Sequence, residues 1–196
     1  NSPEKLGKLV TSIESFCGEI ASLTRVSKRP FLFKNLMCVH RLEVLEQLNE
    51  KPVYIYVKRD PKSTVRSLLR ARLDIHGSFD GDFSVPYIKS YNEVIDDPVS
   101  DVVNQVLSIE RKIETFLFQC DAKHRVVTVQ YEKFCSDPEK EILRLKEKFL
   151  SLNYKIDTLS NIPFFLPNAE YKPLSTELER HISNLLKKNK RNFDAN

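Results

Sequence analysis

Apolar residues recur along most of this chain at spacings of three and four, and in three short places they run together. Leu6, Leu9, Val10, Ile13, Phe16, Cys17, Ile20 and Leu23 mark one face of an amphipathic helix. Ser2-Pro3-Glu4 ahead of them supplies a cap, a first-turn proline and an acidic start, so a helix is predicted over 3–24. Pro30-Phe31-Leu32-Phe33 reads as a short apolar strand ending at Lys34-Asn35. Val39, Leu42, Leu45 and Leu48 form a second helical face over 38–49. Val53 to Val57 is a β-rich run, and Pro61 opens a helix to about Leu73 with Val65, Leu68 and Leu69 inward.

Residues 74–97 interrupt this rhythm with Gly77, Gly81, Pro86 and scattered aromatics (Phe79, Phe83, Tyr87, Tyr91), the pattern of an insertion or lid loop. Helical spacing returns at Val99, Val102, Val103, Val106, Ile113 and Leu117. Arg125 to Gln130 is then a strand. Asp137-Pro138-Glu139 caps a helix with Ile142, Leu145, Phe149 and Leu152 on its inner side. Residues 153–173 are loop-like and rich in Pro and Phe. A closing helix over about 175–188 turns Leu178, Ile182, Leu185 and Leu186 inward.

Short apolar strands separated by helices predict an α/β fold, a parallel sheet flanked by helices. The 196 residues suit one domain, 1–196, with 74–97 as its insertion. Three strands are few for a complete doubly wound domain, and the chain opens on Asn1 rather than methionine. Both features lead to the expectation of a domain that is incomplete on its amino-terminal side.

Composition narrows the function classes. Hydrophobic residues at 41% and charged residues at 30% are ordinary for a soluble globular domain. A net charge of +4 fits a small anionic ligand and does not call for nucleic acid. Cys17, Cys38, Cys120 and Cys135 form no Cys-x-x-Cys pair and have no paired histidines, so no metal site is expected. Four cysteines in a chain of this length suggest buried thiols in a reducing compartment. With no Asn-x-Ser/Thr sequon, the expectation is a cytoplasmic protein. No apolar run reaches the ~18 residues a membrane span requires.

The chemistry concentrates in Pro52–Arg72, PVYIYVKRDPKSTVRSLLRAR. Arg59 falls at the carboxyl end of a strand, where open α/β sheets bind their ligands. Asp60 and Pro61 open the following helix, and Ser67 lies eight residues after Arg59. A helical side chain leans back toward the amino terminus, so the Ser67 hydroxyl and the Arg59 guanidinium are candidates to share one anion, a nucleotide phosphate. Taken alone, the two residues fit a strand-end ion pair and a serine on a helix flank better than an anion site. Lys62, Arg66 and Arg70 form a basic stripe that reads as a solvated face; with Lys58, Arg59 and Arg72 it would also attract an anionic acceptor. Glu132 reads as an acceptor for backbone N–H groups at a strand end. Neither His40, on a helix surface, nor His76, in the loop, is singled out as a base.

VKRDPKSTVRSLL resembles the 3′-phosphate-binding motif of the sulfotransferase family, enzymes that move a sulfuryl group from 3′-phosphoadenosine 5′-phosphosulfate to a hydroxyl or amine. Three further segments are similar in the family's order: PFLFKNLMCVHRLEVL, VVTVQYEKFCSDPEKEILRLKEKFL with Tyr131-Glu132 and Asp137-Pro138, and LSTELERHISNLL. Together they cover about residues 28–190, with the middle loop dissimilar. The resemblance implies a P-loop nucleotide-kinase-like sheet of the sulfotransferase type. It implies that Arg59 and Ser67 hold the 3′-phosphate of the cofactor, whose product is adenosine 3′,5′-bisphosphate. It gives Lys34 the catalytic role of stabilising charge on the leaving phosphate. It implies a small-molecule, glycan or peptide acceptor and no metal.

One family element is missing. The loop that cradles the 5′-phosphosulfate, glycine-rich or like Pro-Arg-Ser-Gly-Thr, has no counterpart, since Gly7 and Gly18 fall inside the first helical pattern. The alternative expectation is therefore a catalytically inactive sulfotransferase-like binding module. A nucleotide-kinase-like phosphoryl transferase ranks below both, because it needs a phosphate loop of its own.

Overall fold

In the computed structural model, residues 3–27, 31–48, 51–87, 97–119, 122–155 and 174–194 are described, with side chains from Ser15 to Asn189. Helix α1 spans Pro3–Ser27. A 3-10 turn, Leu36–His40, leads into a short α2, Leu42–Leu45. Strand β1 (Tyr54–Lys58) is followed by α3 (Pro61–His76), and after the 74–97 segment by α4 (Pro98–Gln119). Strand β2 (Val126–Gln130) passes directly into α5 (Tyr131–Ser136) and α6 (Pro138–Ser151). Helix α7 runs from Thr176 to Asp194.

Among the described residues the sheet has two strands, paired in parallel from Tyr54↔Val126 to Lys58↔Gln130. Helices flank it, which is the α/β arrangement expected at its coarsest. Alternation along β1 puts Tyr54, Tyr56 and Lys58 on one face, partly buried, and Ile55 and Val57 on the other. The first face meets α4: Tyr54 packs edge-on against Phe116 at 5.6 Å, and Lys58 reaches Glu110 and Glu114. On the second face Val127 and Val129 are buried, while Val57 beside them is 55% exposed.

Helix α4 is the spine because its apolar positions serve two clusters. Val99, Val102, Val103 and Val106 pack with Val65 and Leu69 of α3 and Ile182 of α7. A turn or more further on, Phe116 joins Val39, Leu42, Val85 and Ala122. Leu69 is fully buried, so Leu69→Ala would cost about 2–5 kcal/mol in lost transfer energy and residual cavity.

Two expected elements differ. Residues 31–35 are coil rather than a strand, and Pro30 lies outside the described residues. A strand needs a ladder partner on its edge. The Phe31 and Phe33 rings lie 5.9 Å from each other. The helix expected over 38–49 is divided. The Asn35 side chain accepts from the Met37 N–H and starts the 3-10 turn, and Arg41 at φ −130° separates it from α2. The loop expected over 153–173 lies almost wholly outside the described residues, as does 88–96 of the 74–97 segment.

Candidate functional site at the carboxyl edge of the sheet

The register fixes the composition of this edge. The last ladder pair is Lys58↔Gln130, so the next residues, Arg59 and Tyr131, emerge side by side. The Arg59 guanidinium carbon lies 4.6 Å from the Tyr131 ring centroid, a cation–π stack. One residue on, the Asp60 N–H donates to Glu132 Oε1 at 3.1 Å. The expected role for Glu132, a strand-end acceptor for a backbone N–H, is thus the one it has. Arg59 Nε, like Arg72 Nε between α3 and α4, is buried and has no hydrogen-bond partner among the described residues. An N–H in that condition costs free energy until an acceptor reaches it.

Helix α3 starts beside this group because Asp60 caps it. The Asp60 carboxylate accepts from the Ser63 N–H and the Ser63 hydroxyl, both at 2.8 Å, and Pro61 takes the first helical position. The Thr64 N–H and hydroxyl both turn to the Asp60 carbonyl. The helix amino terminus therefore spends most of its donors on its own cap. Anion recognition at this edge would rest on side chains, Arg59 foremost. Ser67 is half-buried on α3, four residues after Ser63 and on the same face. It lies seven residues past Asp60, about 10 Å along the helix axis. Arg59 precedes the start of α3, and Ser67 lies about two turns into it.

Lys34 is exposed in the 31–35 coil, in none of the contacts that assemble this edge. Lys58, at the end of β1, is committed to α4. Its ammonium hydrogen-bonds Glu114 at 2.7 Å and lies 3.2 Å from Glu110, and the Glu114 bond holds its pKa above the usual lysine range. Burial, reinforced by the Glu110 charge, pushes the Tyr56 phenol up to about 12, so it stays protonated.

The basic stripe is not a solvated face. Lys62 and Arg66 both grip Glu179 of α7, at 3.1 and 2.5 Å, and Arg70 pairs with Asp74. Lys62 and Arg66 tie α7 to α3, while Arg70 pairs one turn along its own helix. Glu179 lies 113 residues from Arg66, beyond any local pattern.

Two features escaped the sequence reading. The Arg59–Tyr131 stack follows from equal strand ends in parallel register, which becomes readable once the two five-residue runs are aligned. The second is a buried group between α3 and α4. Arg72 bonds Asp101 at 2.8 Å, Gln105 at 3.2 Å and the Phe79 carbonyl, while Tyr87 donates to Asp101. Gln105 in turn donates to the Phe83 and Val85 carbonyls. The described part of the 74–97 segment is therefore tied to the helices beneath it. Gly77, at φ 73°, makes the reversal that starts it, its N–H closing onto the Leu73 carbonyl.

Cys17, Cys38 and Cys135 are free thiols. Among the described residues no group of three or more His, Cys, Asp or Glu is placed to hold a metal ion. No helix there is long and apolar enough to cross a membrane. No protein-family model, curated protein or solved structure matches the chain.

Proposed function

We propose that this chain carries the 3′-phosphate half of a sulfotransferase site and acts in sulfuryl transfer from 3′-phosphoadenosine 5′-phosphosulfate to a hydroxyl or amine acceptor. The observation that carries the reading is the buried, unpartnered Nε of Arg59 at the carboxyl edge of a parallel sheet. A phosphate oxygen is the acceptor it lacks, and a guanidinium binds phosphate through charge-assisted bonds. In this reading Arg59 holds the 3′-phosphate against Tyr131, and Ser67 donates from α3. The nucleotide, when bound, supplies the activated sulfuryl group. Lys34 is assigned to the leaving-phosphate side on the family resemblance alone.

The second reading is a nucleotide-binding module without transferase activity. It is favoured by one specific observation: the sequence holds only four glycines and no glycine-rich loop for a 5′-phosphosulfate. Calorimetry with adenosine 3′,5′-bisphosphate tests the shared part of both readings. Binding is expected, with Arg59→Ala weakening it about tenfold to a hundredfold, the worth of a charge-assisted bond. Adenosine 5′-monophosphate, which lacks the 3′-phosphate, should bind less tightly and be indifferent to Arg59→Ala. Absence of binding, or equal binding by wild type and variant, overturns the site. A radiolabelled sulfuryl-transfer assay then separates transferase from module.

A further inference from the structure

The segment that does not become a strand leaves an unusual surface. Seven consecutive residues, Phe31 to Met37, are exposed, and five of them are large and apolar. Leu32 is 82% exposed, Leu36 58%, Phe33 55% and Phe31 46%. Leu23 and Val26 near the end of α1 are exposed as well. Clustered exposed apolar residues mark an interaction site. The charges around them select the partner. Between Glu19 and Glu43 the sequence places Arg25, Lys28, Arg29, Lys34 and Arg41 and no acidic residue at all. Arg25, Lys34 and Arg41 are exposed.

We infer that the end of α1 and residues 31–37 form a peripheral docking surface for an anionic lipid bilayer, with Phe31, Leu32 and Phe33 entering the interface and the exposed Arg25 and Arg41 on the headgroups. A coil and a 3-10 turn with protruding aromatic and aliphatic side chains match a soft, featureless acceptor. Near an anionic surface each Lys or Arg strengthens binding about fivefold, and apolar side chains add the transfer energy of their buried area. No spanning helix is required. Phe and Leu are among the side chains that interfacial segments bury at the headgroup boundary. The inference uses neither Arg59 nor Ser67, so it can fail or hold apart from the 3′-phosphate site.

The test is co-sedimentation of the full chain with phosphatidylcholine vesicles with and without phosphatidylserine, at low and high salt. Binding is expected only to the phosphatidylserine vesicles, weakening as salt rises. Leu32→Ser with Phe33→Ser should weaken partition at least about tenfold through lost apolar transfer. Arg25→Ser with Arg41→Ser should do so about twenty-five-fold through lost charge attraction. Far-ultraviolet circular dichroism and melting of each variant establish that it folds; Leu32→Ser alone, at a largely solvated position, is the fallback. Absence of binding to phosphatidylserine vesicles overturns the inference. So does binding that ignores lipid charge and salt. Concentration-dependent self-association abolished by Leu32→Ser overturns it in favour of a second copy of the chain as occupant.

Discussion

Arg59 rests on the ring of Tyr131, 4.6 Å from its centroid, and this contact joins the ends of the two parallel strands. The geometry is a direct consequence of equal strand ends in register. It holds the guanidinium in place while leaving Nε without an acceptor. Tyr131→Phe keeps the ring face and removes only the hydroxyl, so it is the reference against which loss of the ring is read. Tyr131→Leu keeps apolar bulk without the ring quadrupole and should cost about 1 kcal/mol, the range for a partly desolvated cation–π pair. Urea denaturation of the three proteins measures it, and a leucine variant as stable as wild type would mean that the stack contributes nothing.

Asp60 sets a further expectation at the same edge. Its carboxylate caps α3, so Asp60→Ala should lower stability by about 1 kcal/mol. Asp60→Asn retains a capping oxygen and should restore most of that. The same asparagine removes a negative charge adjoining Arg59, so it should tighten binding of adenosine 3′,5′-bisphosphate, more at low salt than at high salt. Calorimetry at two ionic strengths checks the pair of effects. An asparagine variant that folds normally yet binds more weakly would contradict this account of the edge.

Local signals carried most of the elements. Asp60-Pro61 and Gly77 bracket α3, and Asp137-Pro138 opens α6, because caps, first-turn prolines and left-handed glycines act within a few residues. The two β-rich runs became β1 and β2. What the sequence concealed is non-local. Phe31-Leu32-Phe33 has the composition of a strand, but composition does not supply a neighbour to pair with. Lys62 and Arg66 looked solvated because Glu179 is far along the chain. At the candidate site Arg59, Ser67 and Glu132 were readable as residues. That Tyr131 would stack on Arg59, and that Asp60 would occupy the donors at the start of α3, depended on register and cap geometry.

Glu179 makes stability depend on acidity. Hydrogen bonds from Arg66, then Lys62, hold its carboxyl below the ordinary value of 4.5. A carboxylate depressed in the folded state contributes its stabilisation above the unfolded pKa and loses it as pH falls through the lower folded pKa. Unfolding free energy should therefore decline as pH drops below about 4.5, the ordinary glutamate value. Glu179→Gln should remove part of that decline. At neutral pH it should cost about 1 kcal/mol, a modest figure because all three side chains are partly solvated. Asp97 adds to the same acid limb. Burial alone would raise its pKa, but a hydrogen bond from His181 and bonds from the Val99 and Ser100 N–H groups bring it below the usual range. Denaturation curves from neutral pH downward for wild type and Glu179→Gln measure the difference. Parallel curves would exclude the clamp as the source.

The largest single effect belongs to Arg72. Its side chain and that of Asp101 are 3% and 10% exposed, and the pair is held 2.8 Å apart beneath the 77–87 segment. Removing one partner strands the other charge in a poorly solvated site, so Arg72→Ala should cost about 3–5 kcal/mol. Arg72→Met with Asp101→Leu strands no charge and should recover much of the loss, because the penalty comes from the orphan rather than from the missing attraction. The double variant still lacks the donor to the Phe79 carbonyl and the acceptor for the Tyr87 hydroxyl. Gln105 continues to hold the Phe83 and Val85 carbonyls. Amide exchange across 77–87 should therefore rise in the double variant while global stability largely returns, uncoupling the anchoring of the segment from the stability of the helices. If exchange there stays at the wild-type level, Gln105 alone is the anchor, and the buried ion pair serves only to join α3 to α4.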